Sequence, residues 1–464
     1  MPHSDSQSKP IPVGFVLLLS ALVAVGPLTI DLYLAAFPQI TEDLATTEPR
    51  VQLTLTATLA GLALGQLLIG SASDAIGRRR PLLAALAAYV VVSAAIVLVD
   101  GIVLLTVLRF VQGLSAAAGM VLSMAIVRDN YSGFRVGKVI ARLMLVVGVA
   151  PILAPTIGSQ LLRLGSWRLM FAVLAGLGLV LLVISYLRLQ ESLPVERRRS
   201  GGGRAALRSY GGLLRDWPFL GVALLSAFYM AAMFTYVASS SFVFQDGFGL
   251  SAQEFGYVFG AGAVAVTAGS QINGALVGRV TPQRILAVAI AAGFVLSAVL
   301  LLVAVLSAGS RSGGFWPLIV LLVLTLSTAG FVMPAAPAIA LEHNAHRAGS
   351  AAALLGAFQF GIGAAVAPVT GLLGGDPATT MAAVMFGVIT VSGVLFLAVG
   401  RSERRASARA DREGAGPVGK PADRDAVADR LLEGLDVGHD ADDAPAGAQP
   451  TEHVEHGVER LGVK

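Results

Sequence analysis

Gly70-Ser71-Ala72-Ser73-Asp74-Ala75-Ile76-Gly77-Arg78-Arg79-Arg80 is a short charged turn between two apolar runs, 51–70 and 81–99. A helix needs ~20 mostly apolar residues to cross a hydrocarbon core, and both runs have that length. The connection between them suits an antiparallel pair of spanning helices. Gly70 and Gly77 permit a tight turn. Arg78, Arg79 and Arg80 hold it at the membrane surface, because such charges are costly inside lipid. Lys and Arg collect on the cytoplasmic side of membrane proteins, which puts this turn inside.

Outward from this hairpin the same pattern recurs. Candidate spans fall at 13–37, 51–70, 81–99, 102–124, 138–162, 168–188, 219–243, 254–278, 284–307, 316–340, 348–373 and 379–399. With residues 1–12 inside, the inner loops hold Arg78 to Arg80, Arg128, Arg135, Lys138, Arg197 to Arg199, Arg204, Arg208, Arg215, Arg279, Arg284 and Arg347. The outer loops hold only Arg50, Arg163, Arg168 and Arg311. Both termini are therefore expected in the cytoplasm, with the protein in the inner membrane. The organisation reads as a cytoplasmic tail over 1–12, a six-helix bundle over 13–188, a cytoplasmic linker over 189–217, a second six-helix bundle over 218–400 and a disordered cytoplasmic tail over 401–464. Gly70 and Arg80 recur as Gly274 and Arg284 after the eighth span, a weak echo of the kind left by repeated halves in alternating-access carriers.

Of the 464 residues 55% are hydrophobic and 13% charged, with a mean hydropathy of +0.75. Soluble domains carry about 25% charged residues, so the class is membrane protein. The chain has no cysteine, which rules out disulfides and thiolate metal sites. No cofactor or metal is expected. His343 and His346 read as surface residues rather than a metal pair. The net charge of +4 sits in short loops and sets orientation, so nucleic acid is not an expected partner. No zinc-protease, nucleophile-elbow or phosphate-loop motif supports an enzyme.

The turn Gly70, Asp74, Gly77, Arg78 and Arg79 resembles the signature of the major facilitator superfamily between helices 2 and 3, with Ala72 and Ala75 as departures. The resemblance implies two six-helix bundles around a central cavity, an all-α fold, with this turn latching the outward-facing state. Asp74 could then face the N-terminal end of a neighbouring helix, where a negative charge is favoured. Asp31 to Pro38 in the first span, Arg109-Phe110-Val111-Gln112-Gly113 in the fourth, and Pro151 to Gly158 in the fifth are similar to stretches of the Bcr/CflA drug-resistance subfamily. Gly148, Pro151, Pro155 and Gly158 match the fifth-helix pattern tied to antiport. The implied function is export of small amphiphilic drugs in exchange for protons, by a monomer. The alternative is a proton-coupled carrier of an endogenous metabolite such as a sugar.

Charges inside spans are expensive and mark function. Away from helix ends two stand out, Asp31 and Arg109. With the first span ending near Pro38 and the fourth starting near Ile102, each lies seven residues inside, about 10 Å below the outer surface at 1.5 Å per residue. The pair is expected to interact, with Asp31 as proton carrier and Arg109 tuning it. Otherwise Asp31 is wetted from outside and Arg109 bonds backbone carbonyls. Gln112, one turn on, either faces the cavity or bonds a neighbouring helix. Tyr33, Tyr229, Phe234, Tyr236, Phe358 and Gln359 are candidate cavity residues, since aromatic walls suit flat apolar ligands. Each could equally serve packing.

Overall fold

The computed structural model describes residues 12–198, 202–308, 314–342, 344 and 347–412. Fifteen helices follow in order: α1 Val13–Asp31, α2 Phe37–Asp43, α3 Glu48–Ile76, α4 Arg79–Val97, α5 Ile102–Asn130, α6 Phe134–Leu164, α7 Arg168–Arg188, α8 Gly202–Leu214, α9 Trp217–Ser241, α10 Ala252–Leu276, α11 Pro282–Ser307, α12 Phe315–Glu342, α13 Ala348–Val366, α14 Val369–Leu373 and α15 Pro377–Arg412. A 3-10 turn over Leu34–Ala36 joins α1 to α2, and a π turn over Phe242–Gly247 extends α9. They make twelve spans long and apolar enough to cross a membrane. The expected twelve spans and the all-α fold are both found.

Helix starts follow local chemistry. Pro49, Pro218 and Pro282 lie in the first turns of α3, α9 and α11, where a missing N–H costs nothing. Ser251 and Glu254 form a reciprocal capping box on α10. Among the described residues, α1 and α3–α7 pack as one bundle and α9–α14 as another, with α15 bonded to α9 and α11 through Ser392 and Thr379. The halves meet along two seams, α3 against α13 and α6 against α10.

Three expectations need correction. The first span does not stop near Pro38. It breaks after Asp31, resumes as α2 and ends at Asp43. Pro38 sits in the first turn of α2, where proline begins a helix rather than ending one. The linker 189–217 contains α8. Leu207, Tyr210 and Leu213 recur along it at helical spacing, and Leu213 is fully buried. The last helix runs to Arg412, so residues 401–412 are helical rather than disordered. Ala and Arg dominate there, and both favour helix. Residues 1–11 and 413–464 of the two expected tails, with His343 and His346, lie outside the described residues.

The halves touch at the face opposite the Gly70–Arg80 turn. The Phe37 and Phe242 rings are 5.6 Å apart. Gln245 Nε2 donates to the Ala35 carbonyl at 3.2 Å, and Gln253 Nε2 to the Ser159 carbonyl at 3.2 Å. Along the α6–α10 seam, Thr267 Oγ1 donates to the Gly148 carbonyl near the middle of α6, at 3.1 Å. Extensive packing by α5 stays in the first half and that by α12 in the second. The halves thus close at the face away from the motif turn; at the motif face α8 packs on α3 and α13, and Gly356 of α13 sits against Gln66 of α3, one turn before Gly70.

Candidate functional site

The break in the first span positions the central polar residues. A helix end leaves its last four carbonyls without intrahelical partners. After Asp31 the chain turns, and the Thr29 carbonyl accepts from Arg109 Nη2 at 2.9 Å. Arg109 Nη1 donates to Gln112 Oε1 at 2.6 Å. The guanidinium lies over the Tyr33 ring at 4.0 Å and near Phe171 at 5.4 Å. A cation at a helix C-terminus is favoured by the peptide dipoles, and stacking on aromatic faces adds to this. Arg109, with no exposed surface, caps the broken end of α1.

Polar bonding spreads from this cap. Gln112 Nε2 donates to Ser93 Oγ at 2.8 Å. Thr29 Oγ1 shares a hydrogen with Tyr89 Oη at 2.7 Å, and Tyr33 Oη with Thr54 Oγ1 at 3.2 Å. These bonds tie α1, α3, α4 and α5 together inside the first half. Sequence reasoning singled out Tyr33, Arg109 and Gln112. It missed Thr29, Thr54, Tyr89, Ser93 and Phe171. Tyr89 and Ser93, one turn apart in an otherwise apolar span, were the available signal.

The expected Asp31–Arg109 ion pair is not made. Both Arg109 terminal nitrogens are engaged elsewhere. Asp31 is 5% exposed and is the buried acid among the described residues. No hydrogen bond or ion pair reaches its carboxylate there. It also lies twelve residues before the end of its span at Asp43, deeper than a helix ending near Pro38 would place it. Asp31 faces the seam between halves, within electrostatic range of Tyr236 in α9. Gly158 packs against the Leu32 carbonyl beside it, with no room for a side chain. Pro155 and Ile152 in α6 face Gly256 and Gly260 of α10. Pro151 and Pro155 remove backbone donors from α6. Gly148 and Pro155 of the fifth-span pattern therefore line the α6–α10 seam, while Gly158 abuts the end of α1.

The other proposed cavity residues divide. Tyr229 Oη bonds Thr328 Oγ1 at 2.6 Å, and Phe234 packs on Phe360 with centroids 5.7 Å apart. Tyr33, Gln112, Tyr229 and Phe234 are at most 2% exposed, so they serve packing within one half. Tyr236 stacks on Phe259 at 5.1 Å. Gln359 Nε2 donates to Ser226 Oγ at 2.8 Å. Gln359 and Phe358 are half-buried, and they remain with Tyr236 as residues near the seam.

At the motif turn, Gly77 caps α3 with φ 99°, a left-handed conformation that favours glycine. Arg78 pairs with Asp74 at 2.6 Å and Asp129 at 3.1 Å. Its Nη1 donates to Ser73 Oγ at 2.6 Å. Asp74 thus pairs with its own turn; no hydrogen bond or ion pair takes it to another helix among the described residues. Arg79 donates to the Leu189 and Tyr186 carbonyls, both at 2.8 Å. Glu191, which sequence reasoning passed over, accepts from the backbone N–H of Arg78 at 2.7 Å and of Arg79 at 3.2 Å. Burial pushes the Glu191 carboxyl up, but the N–H donors of Arg78, Leu193 and Arg79 and the Arg198 charge outweigh it and leave it below the usual range. Tyr210 Oη donates to the Leu67 carbonyl at 3.4 Å, which places α8 beside the turn, and burial, then the Asp74 charge, pushes the Tyr210 hydroxyl up.

The family model of the Major Facilitator Superfamily matches residues 17–368. The chain is 37% identical over 398 residues to the uncharacterized MFS-type transporter YdgK of Bacillus subtilis (strain 168), covering 85% of this chain and 97% of that one. It is 29% identical over 378 residues to a bicyclomycin resistance protein homolog of Haemophilus influenzae, covering 82% and 94%. That relative bears out the resemblance to the Bcr/CflA subfamily. In fold it is similar to a bacterial homolog of the human lysosomal transporter Spinster in an inward-facing, occupied conformation, with TM-score 0.61, 14% identity, and coverage of 85% of this chain and 98% of that one.

Proposed function

The chain belongs to the major facilitator superfamily, a family of multi-pass transporters of small molecules, and on that premise we propose that it exports small amphiphilic drugs in exchange for protons. The observation that carries this reading is Asp31, a buried acid without a partner at the seam of the two halves. An unpaired carboxylate in apolar surroundings is costly. Either a proton or a cationic substrate relieves that cost. Competition between the two for one carboxylate couples their movements in opposite directions. The break in the first span beside it matches the rule that carriers place their sites at discontinuous helices. The half-buried Phe358 and Gln359 offer apolar and amide surface to the substrate.

In this reading the protein works as a monomer in the inner membrane, with both termini and the motif face in the cytoplasm. The α6 prolines let the α6–α10 seam flex as the halves rock. The test is efflux from everted vesicles with an imposed pH gradient, using a panel that includes bicyclomycin. Asp31→Asn should still bind drug and should lose gradient-driven efflux, because no proton can be released. Full proton-driven efflux by this variant would exclude Asp31 as the coupling group. Inactivity toward every amphiphile, with sugar movement in the same vesicles, would favour a metabolite carrier.

A further inference from the structure

The linker helix α8 is fixed at the level of the membrane surface at two points. Tyr210 Oη reaches the carbonyl of Leu67, which precedes Gly70 and the motif turn by less than one helical turn. At its other end, α8 stops at Leu214, and α9 starts its span at Trp217. Trp217 is exposed, and tryptophan collects at membrane–water interfaces. Tyr210 and Leu213 form the packed side of α8, and Leu213 has no exposed surface. At roughly 100° per residue, Leu207 and Leu214 share a stripe beside that packed side. Arg208 and Arg215, one residue further on in each case, form the next stripe around. Leu207 is 70% exposed and Leu214 44%. Both arginines are exposed, and neither pairs with an acid among the described residues. Ser209 and Gly212 lie on the side away from the leucines, and Gly212 sits against the Arg347 guanidinium.

An apolar stripe flanked by cations is the pattern of a helix that lies in a headgroup layer. Burying the leucines in the acyl boundary is favourable in proportion to the apolar area removed from water. Charge then selects the lipid, because an anionic surface attracts each nearby arginine and the guanidinium fork matches phosphate. We propose that α8 docks on the leaflet at the motif face, with Leu207 and Leu214 in the acyl boundary and Arg208 and Arg215 on the phosphates of anionic phospholipids. The polar side at Ser209 and Gly212 then faces water. Because α8 also packs on α3 and α13, which meet at Gln66 and Gly356 beside Leu67, the docked helix joins the leaflet to both halves. The proposal needs only a chain that spans a bilayer, and does not rest on proton-coupled export.

The cysteine-free chain allows one spin label at a time, on Leu207→Cys, Ser209→Cys or Leu214→Cys. The full-length protein is held as single copies in nanodiscs of phosphatidylglycerol or of phosphatidylcholine. Collisions of each label with oxygen, which partitions into lipid, are compared with collisions with a water-soluble nickel chelate. In phosphatidylglycerol, labels at 207 and 214 should favour oxygen and the label at 209 should favour the chelate. Each arginine near an anionic surface contributes about fivefold to docking. Replacing both, Arg208→Gln with Arg215→Gln, should therefore raise chelate collisions at 207 and 214 at least threefold, as should phosphatidylcholine with the arginines intact. Both arginines are exposed and unpaired among the described residues, so the double variant should elute as folded protein on size exclusion. Chelate collisions at 207 and 214 as frequent as at 209 in phosphatidylglycerol would overturn the proposal, since the stripe would lie in water. Shielding of 207 and 214 from both probes would also overturn it, because protein would then cover the stripe. So would immersion that neither lipid charge nor loss of the arginines changes.

Discussion

If Arg109 caps the broken end of α1 rather than neutralising Asp31, the two residues should be energetically independent. Arg109 is fully buried and makes charge-assisted bonds to the Thr29 carbonyl and Gln112 Oε1. Hydrogen bonds to charged groups contribute roughly 1.5–3 kcal/mol each. Arg109→Leu removes both and strands the acceptors, so the loss should be about 3–5 kcal/mol, comparable to breaking a buried ion pair. Arg109→Lys keeps the charge but loses the planar fork. It can satisfy one acceptor and should cost about 2 kcal/mol. Asp31→Asn removes a charge that nothing pairs with, so it should leave stability unchanged or raise it.

A double-mutant cycle separates the two arrangements. Coupling between Asp31→Asn and Arg109→Lys should stay below about 1 kcal/mol, whereas Gln112→Leu and Arg109→Lys should couple by about 1–3 kcal/mol, as contacting residues do. The measurement is unfolding of the purified protein in detergent, titrated with SDS and followed by helical circular dichroism. A coupling of about 2 kcal/mol or more between Asp31 and Arg109 would refute the capping argument. The guanidinium would then bond the carboxylate rather than the Thr29 carbonyl.

The spans were legible because the signal is long: an apolar run of about 20 residues bounded by charge survives small errors. The errors came from single residues and from facing. Pro38 reads as a stop, yet proline serves equally as a helix start, and only the backbone on either side decides. Counting residues placed Asp31 and Arg109 at one depth. Depth says nothing about direction, and the partner Arg109 finds is a backbone carbonyl, freed by a break that no side chain announces. Gln112 has two readings in sequence because its partner Ser93 lies on another helix. Glu191 is one acid in a basic loop, and its role appears only when the end of α7 is laid against the motif turn.

Orientation can be tested with reporter fusions. Those after residues 45 and 248 should report outside and those after 77 and 205 inside, and an outside signal at 205 would overturn the proposed topology. Gly158→Val should reduce folded yield or transport, since any side chain there meets the Leu32 carbonyl and overpacking costs about 1–3 kcal/mol; wild-type yield and efflux would mean that α6 stands further from the break. The clamp formed by Glu191 carries a pH signature. Its folded carboxyl titrates below the ordinary value of 4.5. A depressed carboxylate contributes stability that is fully present above the unfolded pKa and is lost as pH falls through the lower folded value. At neutral pH the linker start should therefore be held against the motif turn, and it should loosen only in acid, below about pH 4.5. The cysteine-free chain allows a single spin label at Val195, which is exposed and lies four residues past Glu191. Label mobility should be low at pH 7 and rise on acidification. In Glu191→Gln, which cannot ionise, mobility should be high and flat across the same range. A wild-type profile that Glu191→Gln reproduces would show that another group holds the linker to the turn.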